Sequence, residues 1–170
     1  MHETTYDMYN KLMNHLFDVA NTYYAIAISA MVAGLDGMSH FALNESHERW
    51  HYGHKIAELI MLHDGRPDIT VREAPRQEYA NPLDALTVMK KCEAETISLL
   101  NEHAMIAVES DPLALEKMGK WRRKLMKERN EIFGVDMMFK KAGATVASMD
   151  EELREKYECM VKVECVRHKY

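Results

Sequence analysis

The sequence predicts an all-α protein, a four-helix bundle followed by a short fifth helix. Three observations carry that expectation. Apolar residues recur at helical spacing through four long blocks, and no alternating β-branched run competes with them. Gly and Pro number only seven and four, and most of them mark the ends of the blocks or the links between them. One connection, between the second and third blocks, holds Pro67 and Pro75 and shows no helical period. It is about 18 residues long, and at ~3.3 Å per residue it can run the bundle's length.

The elements follow in order. Thr4 with Asp7 reads as an N-cap for helix one, placed at 5–36, which Gly34 and Gly37 end. A very short link makes helix two, 38–63, its antiparallel neighbour; Asp64-Gly65-Arg66-Pro67 stops it. Asn81-Pro82 and Asp111-Pro112 pair an N-cap with a first-turn proline, so helices three and four are placed at 82–109 and 112–142. Ser148 and Glu151 form a capping box for helix five, 149–168. A long crossover between two antiparallel hairpins is one of the known four-helix topologies.

With 170 residues, 47% apolar and 29% charged, the chain suits a single domain, 1–170. Neither a disordered nor a disulfide-stapled class fits that composition. The apolar stretch 25–33 is too short to span a bilayer, and no leader pattern opens the chain. Cys92, Cys159 and Cys165 show no paired spacing, so a reducing, cytoplasmic setting is expected. A net charge of -5 argues against a nucleic-acid partner, despite seven basic residues within 117–129.

Projected at ~100° per residue, helix two turns Met38, Phe41, Ala42, Ile56, Leu59 and Ile60 to one face, and Glu45, Arg49, Tyr52 and His63 share it. Helix one contributes Leu12, Leu16, Val19, Ala20, Tyr23 and Ala27, and no carboxylate. Helix three offers Leu86, Met89, Ile97, Leu100 and Ala104 around Glu93. Helix four offers Leu115, Met118, Leu125, Met126 and Phe133, with Arg122, Arg129 and Asp136 intruding. Charges inside a bundle must be paired or liganded. A bundle di-metal site uses about four carboxylates and two histidines. Here Glu45 and Glu93 face Arg49 and Arg129, so the expectation is a salt-bridged centre with Tyr23 and Tyr52 around it.

These residues resemble the ferritin family over most of the chain. Gly34-Leu35-Asp36-Gly37 before Phe41 resembles the family's first turn. Asp64-Gly65-Arg66-Pro67, Glu73-Ala74-Pro75, Tyr79 and Asn81-Pro82-Leu83 resemble its long crossover. Glu93 with Asn101-Glu102, and Asp111-Pro112 with Trp121, match landmarks of helices three and four. The resemblance implies a ferritin-like bundle, iron as the metal handled, and a homo-oligomeric cage of up to 24 subunits, either alone or mixed with an active ferritin subunit.

Carried across residue by residue, the resemblance places Tyr23 beside the family's ferroxidase centre and Glu93 at its helix-three ligand. The helix-one glutamate falls on Leu16, the helix-two glutamate and histidine on Arg49 and Tyr52, and the helix-four positions on Met126 and Arg129. A basic residue bridging the helix-three glutamate resembles the light-chain type of animal ferritin, with a degenerate centre. An alternative set, Glu48 and His51 with Glu45 and Glu93, would need a one-residue register change such as a π-bulge in helix two. Glu116 matches one acidic position of the three-fold channel; the second falls on Gly119.

Nine His and 14 Met exceed what a plain helical domain needs. His40, His47, His51 and His54 share the face of helix two opposite the core. That face is either solvated or a site for a borderline cation such as zinc, with His47 and His51 as an i,i+4 pair near Glu48, or for a haem-like ligand. Trp50 stands where a bacterioferritin-type haem would need methionine. Met89, Met118, Met126 and Met160 are assigned to core packing. The function expected is a storage subunit with a degenerate centre; the alternatives are a ferroxidase with shifted ligands and a non-iron cage using its histidine face.

Overall fold

The computed structural model describes residues 3–70, 74–110, 112–141, 143 and 145–167, with side chains at 5–70, 74–108, 115–141, 143 and 145–158. Five helices account for nearly all of them: α1 Glu3–Val32, α2 Asp36–Leu62, α3 Pro82–Ser110, α4 Pro112–Phe139 and α5 Val146–Arg167. Helix α1 packs along α2 and α3, α3 along α4, and α5 mainly against α2. No strand forms among the described residues. No helix of the described chain is long and apolar enough to cross a membrane.

Local chemistry sets the ends of the helices. Gly34 takes φ +72° after α1, the left-handed position of a Schellman closure. The Gly34 and Leu35 N–H groups donate back to the Met31 and Ala30 carbonyls at 3.0 and 2.9 Å. At the end of α2 the left-handed position falls on Asp64, φ 58°, with the Gly65 N–H reaching Ile60 O at 3.0 Å. Two caps differ from the sequence expectation. Thr4 lies inside α1, which already includes Glu3. Helix α5 starts at Val146 because Thr145, not Ser148, caps it. The Ser148 N–H donates to Thr145 Oγ1 at 3.1 Å. The Thr145 N–H donates to Ser148 Oγ at 3.2 Å. The reciprocal box is therefore Thr145/Ser148. Helix α4 ends at Phe139, short of 142. Asp111, the expected cap of α4, and the side chains of Met160, Cys159 and Cys165 lie outside the described residues.

Helix α1 holds the crossover extended. The Asn10 and Asn14 side-chain oxygens accept from the backbone N–H of Asp68 and Thr70 at 2.8 and 2.9 Å. Asn14 Nδ2 donates to Asp68 O at 2.7 Å, and Tyr6 donates to the Arg66 carbonyl. These amides satisfy backbone groups that would otherwise need a strand partner.

The apolar interior is in two parts. One is built around Tyr23, Ile26, Met38, Phe41, Leu86, Met89 and Ile132. The other centres on Leu12, Leu16, Ile56, Leu59, Leu100 and Leu125. At ~1.5–3 kcal/mol for each fully buried large apolar side chain, these two clusters carry the bundle. Along α2, α3 and α4 the boundary between them falls at Glu45 and Arg49, Glu93 and Glu128.

Candidate functional site

At that boundary a charged layer crosses the bundle. Arg49 and Glu93 are 0% exposed, Glu45 1% and Glu128 8%. The guanidinium of Arg49 on α2 donates through Nε and Nη2 to one Glu93 oxygen at 3.0 and 2.7 Å. Its Nη1 donates to Glu128 of α4 at 2.5 Å, and Nη2 lies 3.5 Å from Glu45 one turn back. Three carboxylates from three helices thus converge on one cation, whose planar fork of donors matches such a set.

Two tyrosines close the layer. The Tyr23 hydroxyl donates to Glu93 at 2.6 Å, and its ring lies 5.8 Å from the guanidinium carbon. The Tyr52 hydroxyl donates to the second oxygen of Glu128 at 3.0 Å. On the solvent side Lys124 of α4 pairs with Glu48 of α2 at 3.2 Å and sits 5.0 Å over the Tyr52 ring.

Burial raises the pKa of both Glu45 and Glu128, against the pull of Arg49. Glu45 is pushed up to about 8, with Glu128, Glu93 and Glu131 adding to the effect. Burial also works against the charge of Arg49, but Glu93, Tyr23, Glu45 and Glu128 outweigh it and hold the guanidinium protonated. Burial pushes both tyrosines well above their ordinary range, next to Glu93 for Tyr23 and Glu128 for Tyr52, so they serve as donors.

The raised pKa of Glu45 has a consequence for stability. Between its ordinary value of 4.5 and about 8 the folded chain holds a proton that the unfolded chain has released. Stability therefore falls as pH rises through that window. Glu45→Gln, which imitates the neutral acid, should flatten the melting temperature between pH 5 and pH 8 and leave the variant at least as stable as the parent at pH 8. A variant as steeply pH-dependent as the parent would contradict this assignment.

The structure brings together Arg49, Glu93, Glu45, Tyr23 and Tyr52, and it adds Glu128, which the helix-four projection passes over. Arg129 is a correction. It lies outside the layer, with Nη1 3.9 Å from Met126 Sδ and its guanidinium 5.0 Å over the Phe133 ring. Phe133, expected in the core, is 39% exposed. Among the described residues, the buried ones of α4 are Met118, Leu125, Glu128, Ile132, Val135 and Asp136, the last paired with Lys90 and Lys140. Met126, Phe133 and Met137 form a second apolar stripe beside them, and that stripe pulls the projection one position towards Arg129. The heptads Met118–Leu125–Ile132 and Trp121–Glu128–Val135 are the signal that reveals Glu128.

The shifted ligand set is also corrected. Helix α2 is regular α-helix from Asp36 to Leu62, with no π-turn to rotate Glu48 and His51 inward. Glu48 pairs with Lys124, while His47 and His51 are exposed on the other side of the helix from Arg49. Glu93, Glu48, His51 and His47 are not gathered, and among the described residues no three His, Cys, Asp or Glu side chains form a group able to hold a metal. Glu116 is exposed and pairs with Lys120 at 2.6 Å.

The family model for the ferritin-like domain matches residues 7–132. The chain belongs to the ferritin family. No curated protein matches it significantly in sequence. Among solved structures, an open-pore ferritin from the hyperthermophilic archaeon Archaeoglobus fulgidus superposes with a TM-score of 0.84 at 18% identity, covering 90% of this chain and 96% of that one. An engineered closed form of the Archaeoglobus fulgidus ferritin gives 0.82 at 20% identity with the same coverage. These similarities establish the fold: a ferritin bundle with its crossover and short fifth helix. The charged layer does not fit a di-metal centre, which needs about four carboxylates and two histidines. It has three carboxylates and no histidine, and a guanidinium already bonds two of the carboxylates and lies 3.5 Å from the third.

Proposed function

We propose that this ferritin chain is an iron-storage cage subunit that lacks a working oxidation centre of its own. One observation carries the reading. The Arg49 guanidinium occupies the point where Glu45, Glu93 and Glu128 converge, so the cation in the place of a metal is a side chain of this chain itself. Its cation is covalently part of α2, and a divalent ion would have to displace it from two carboxylates at once.

Assembly into a homo-oligomeric cage is part of this proposal. Tyr24, Ile28 and Met31, at i, i+4 and i+7 on α1, are 52%, 40% and 54% exposed, and Val32 beside them is 85% exposed. An apolar stripe of that length on a single subunit is what a subunit contact would cover. In the same reading, iron oxidation would come from outside the chain, by slow autoxidation or from an oxidising ferritin subunit in a mixed shell.

Aerobic Fe²⁺ oxidation by the assembled protein tests the proposal. The expected rate matches that of protein-free buffer, with no discrete di-iron intermediate. Rapid stoichiometric oxidation through such an intermediate would overturn the reading and restore the enzyme.

A further inference from the structure

We propose that the face of α2 opposite the charged layer carries a surface site for a borderline divalent cation such as Zn²⁺, Ni²⁺ or Cu²⁺, with His54 and Glu58 as the chelating pair and His51 as the third donor. His51, His54 and Glu58 follow one another at intervals of three and four. At ~100° per residue they fall within about 60° of arc on the helix.

Their geometry is already close to that of a chelate. His54 Nε2 stands 3.4 Å from Glu58 Oε1. Two donors each ~2.0–2.1 Å from a tetrahedral ion lie about 3.4 Å apart, so the ion can enter between them without moving the helix. Both side chains are open to solvent, 60% and 42% exposed. Lys55 donates to the other oxygen, Oε2, at 2.9 Å and leaves Oε1 facing the imidazole.

No third ligand is yet in place among the described residues. His51 is exposed one turn before His54, and a change of side-chain rotamer brings it to the same ion; water completes the shell. The donor set selects the metal. Imidazole favours zinc, nickel and copper, whereas the hard ferric ion of an oxyhydroxide mineral favours oxygen donors alone. None of these residues belongs to the buried layer, so the site stands or falls independently of iron oxidation.

Calorimetric titration of the assembled full chain with ZnCl₂, and separately with NiCl₂, tests the site. One ion per chain is expected. Changes to outer-shell partners alone weaken metal sites ~10–100-fold, so His54→Ala and Glu58→Gln should each weaken binding by at least about tenfold, and His51→Ala by less. Lys55→Ala, which releases the competing ammonium from Glu58, should leave binding unchanged or tighter. His51, His54 and Lys55 are exposed and Glu58 is partly so, and circular dichroism should find the variants folded. If the parent binds no tighter than the His54→Ala/Glu58→Gln double variant, the His54–Glu58 contact is only a solvated polar pair and the proposal fails. Binding abolished by His47→Ala but indifferent to His54→Ala would equally overturn it.

Discussion

Arg49→Ala is expected to destabilise the chain by about 3–5 kcal/mol, the range for removing one partner of a buried ion pair. Among the described residues Arg49 is the cation bonded to the buried carboxylates Glu93 and Glu128, and Glu45 shares it. Without it, three carboxyl groups face one another in a layer closed to water, and protonation is their main relief. Glu45 is already protonated up to about pH 8, so the penalty should be larger at pH 8 than at pH 5. For a domain of this size the loss corresponds to a fall of roughly 6–20 °C in melting temperature. Arg49→Glu turns the same layer into four carboxylates with no resident cation, and it should fold well only when a divalent ion is supplied. Mn²⁺ or Zn²⁺ at ~100 times its dissociation constant would return about 2.7 kcal/mol to that variant and nothing to the buried layer of the parent. Scanning calorimetry with and without metal measures both effects. Unchanged melting of Arg49→Ala in metal-free buffer would mean that the guanidinium contributes nothing to the fold.

What the sequence makes legible depends on how many stripes each helix carries. Helices α1 and α2 have one apolar face each, so projection alone turns Tyr23, Glu45, Arg49 and Tyr52 inward. Glu93 on α3 is equally visible, since it sits between Met89 and Leu100 at helical spacing. Helix α4 has two stripes, and the outer one, where Arg129 lies over Phe133, imitates a core face and hides the inward acid Glu128. Read locally, the layer looks balanced, two acids against two bases. In three dimensions it holds three acids and one base, and part of the deficit is met by the proton that burial keeps on Glu45 up to about pH 8. Proton positions depend on burial depth and on three helices at once, and no single helical projection contains them.

The N-terminus of α2 poses the same problem in another form, since nothing in its own sequence caps it. Leu35 precedes the helix and makes no side-chain cap bond. The cap comes from Asp150 of α5, whose carboxylate accepts the Gly37 N–H at 3.1 Å and the Met38 N–H at 2.7 Å. A carboxylate there also meets the positive end of the helix dipole. The approach is close enough to require glycine. A Cβ on residue 37 would stand 1.9 Å from the Asp150 carbonyl oxygen and 2.7 Å from the Arg154 backbone nitrogen. Both are backbone atoms, so no rotamer change relieves the contact and α5 itself must move. Gly37→Ala should therefore incur an overpacking penalty of ~1–3 kcal/mol and lose a cap worth ~0.5–2 kcal/mol, about 2–5 kcal/mol in all. The loss should be local. Hydrogen exchange should accelerate in α5 and the first turn of α2, while α3 keeps its protection. Asp150→Asn keeps the shape of the cap and loses only its charge, so it should soften the same region by less than the alanine variant does. A Gly37→Ala protein with parental melting and parental exchange in α5 would rule out this docking of the fifth helix. The docking matters to the layer as well, because Tyr157 of α5 packs on Phe41 and lies 3.4 Å from Glu131, one of the acids that raise Glu45. Loosening α5 should then lower the pKa of Glu45 towards its ordinary value and flatten the pH dependence of melting, so that a substitution at the end of α2 is read out at its centre.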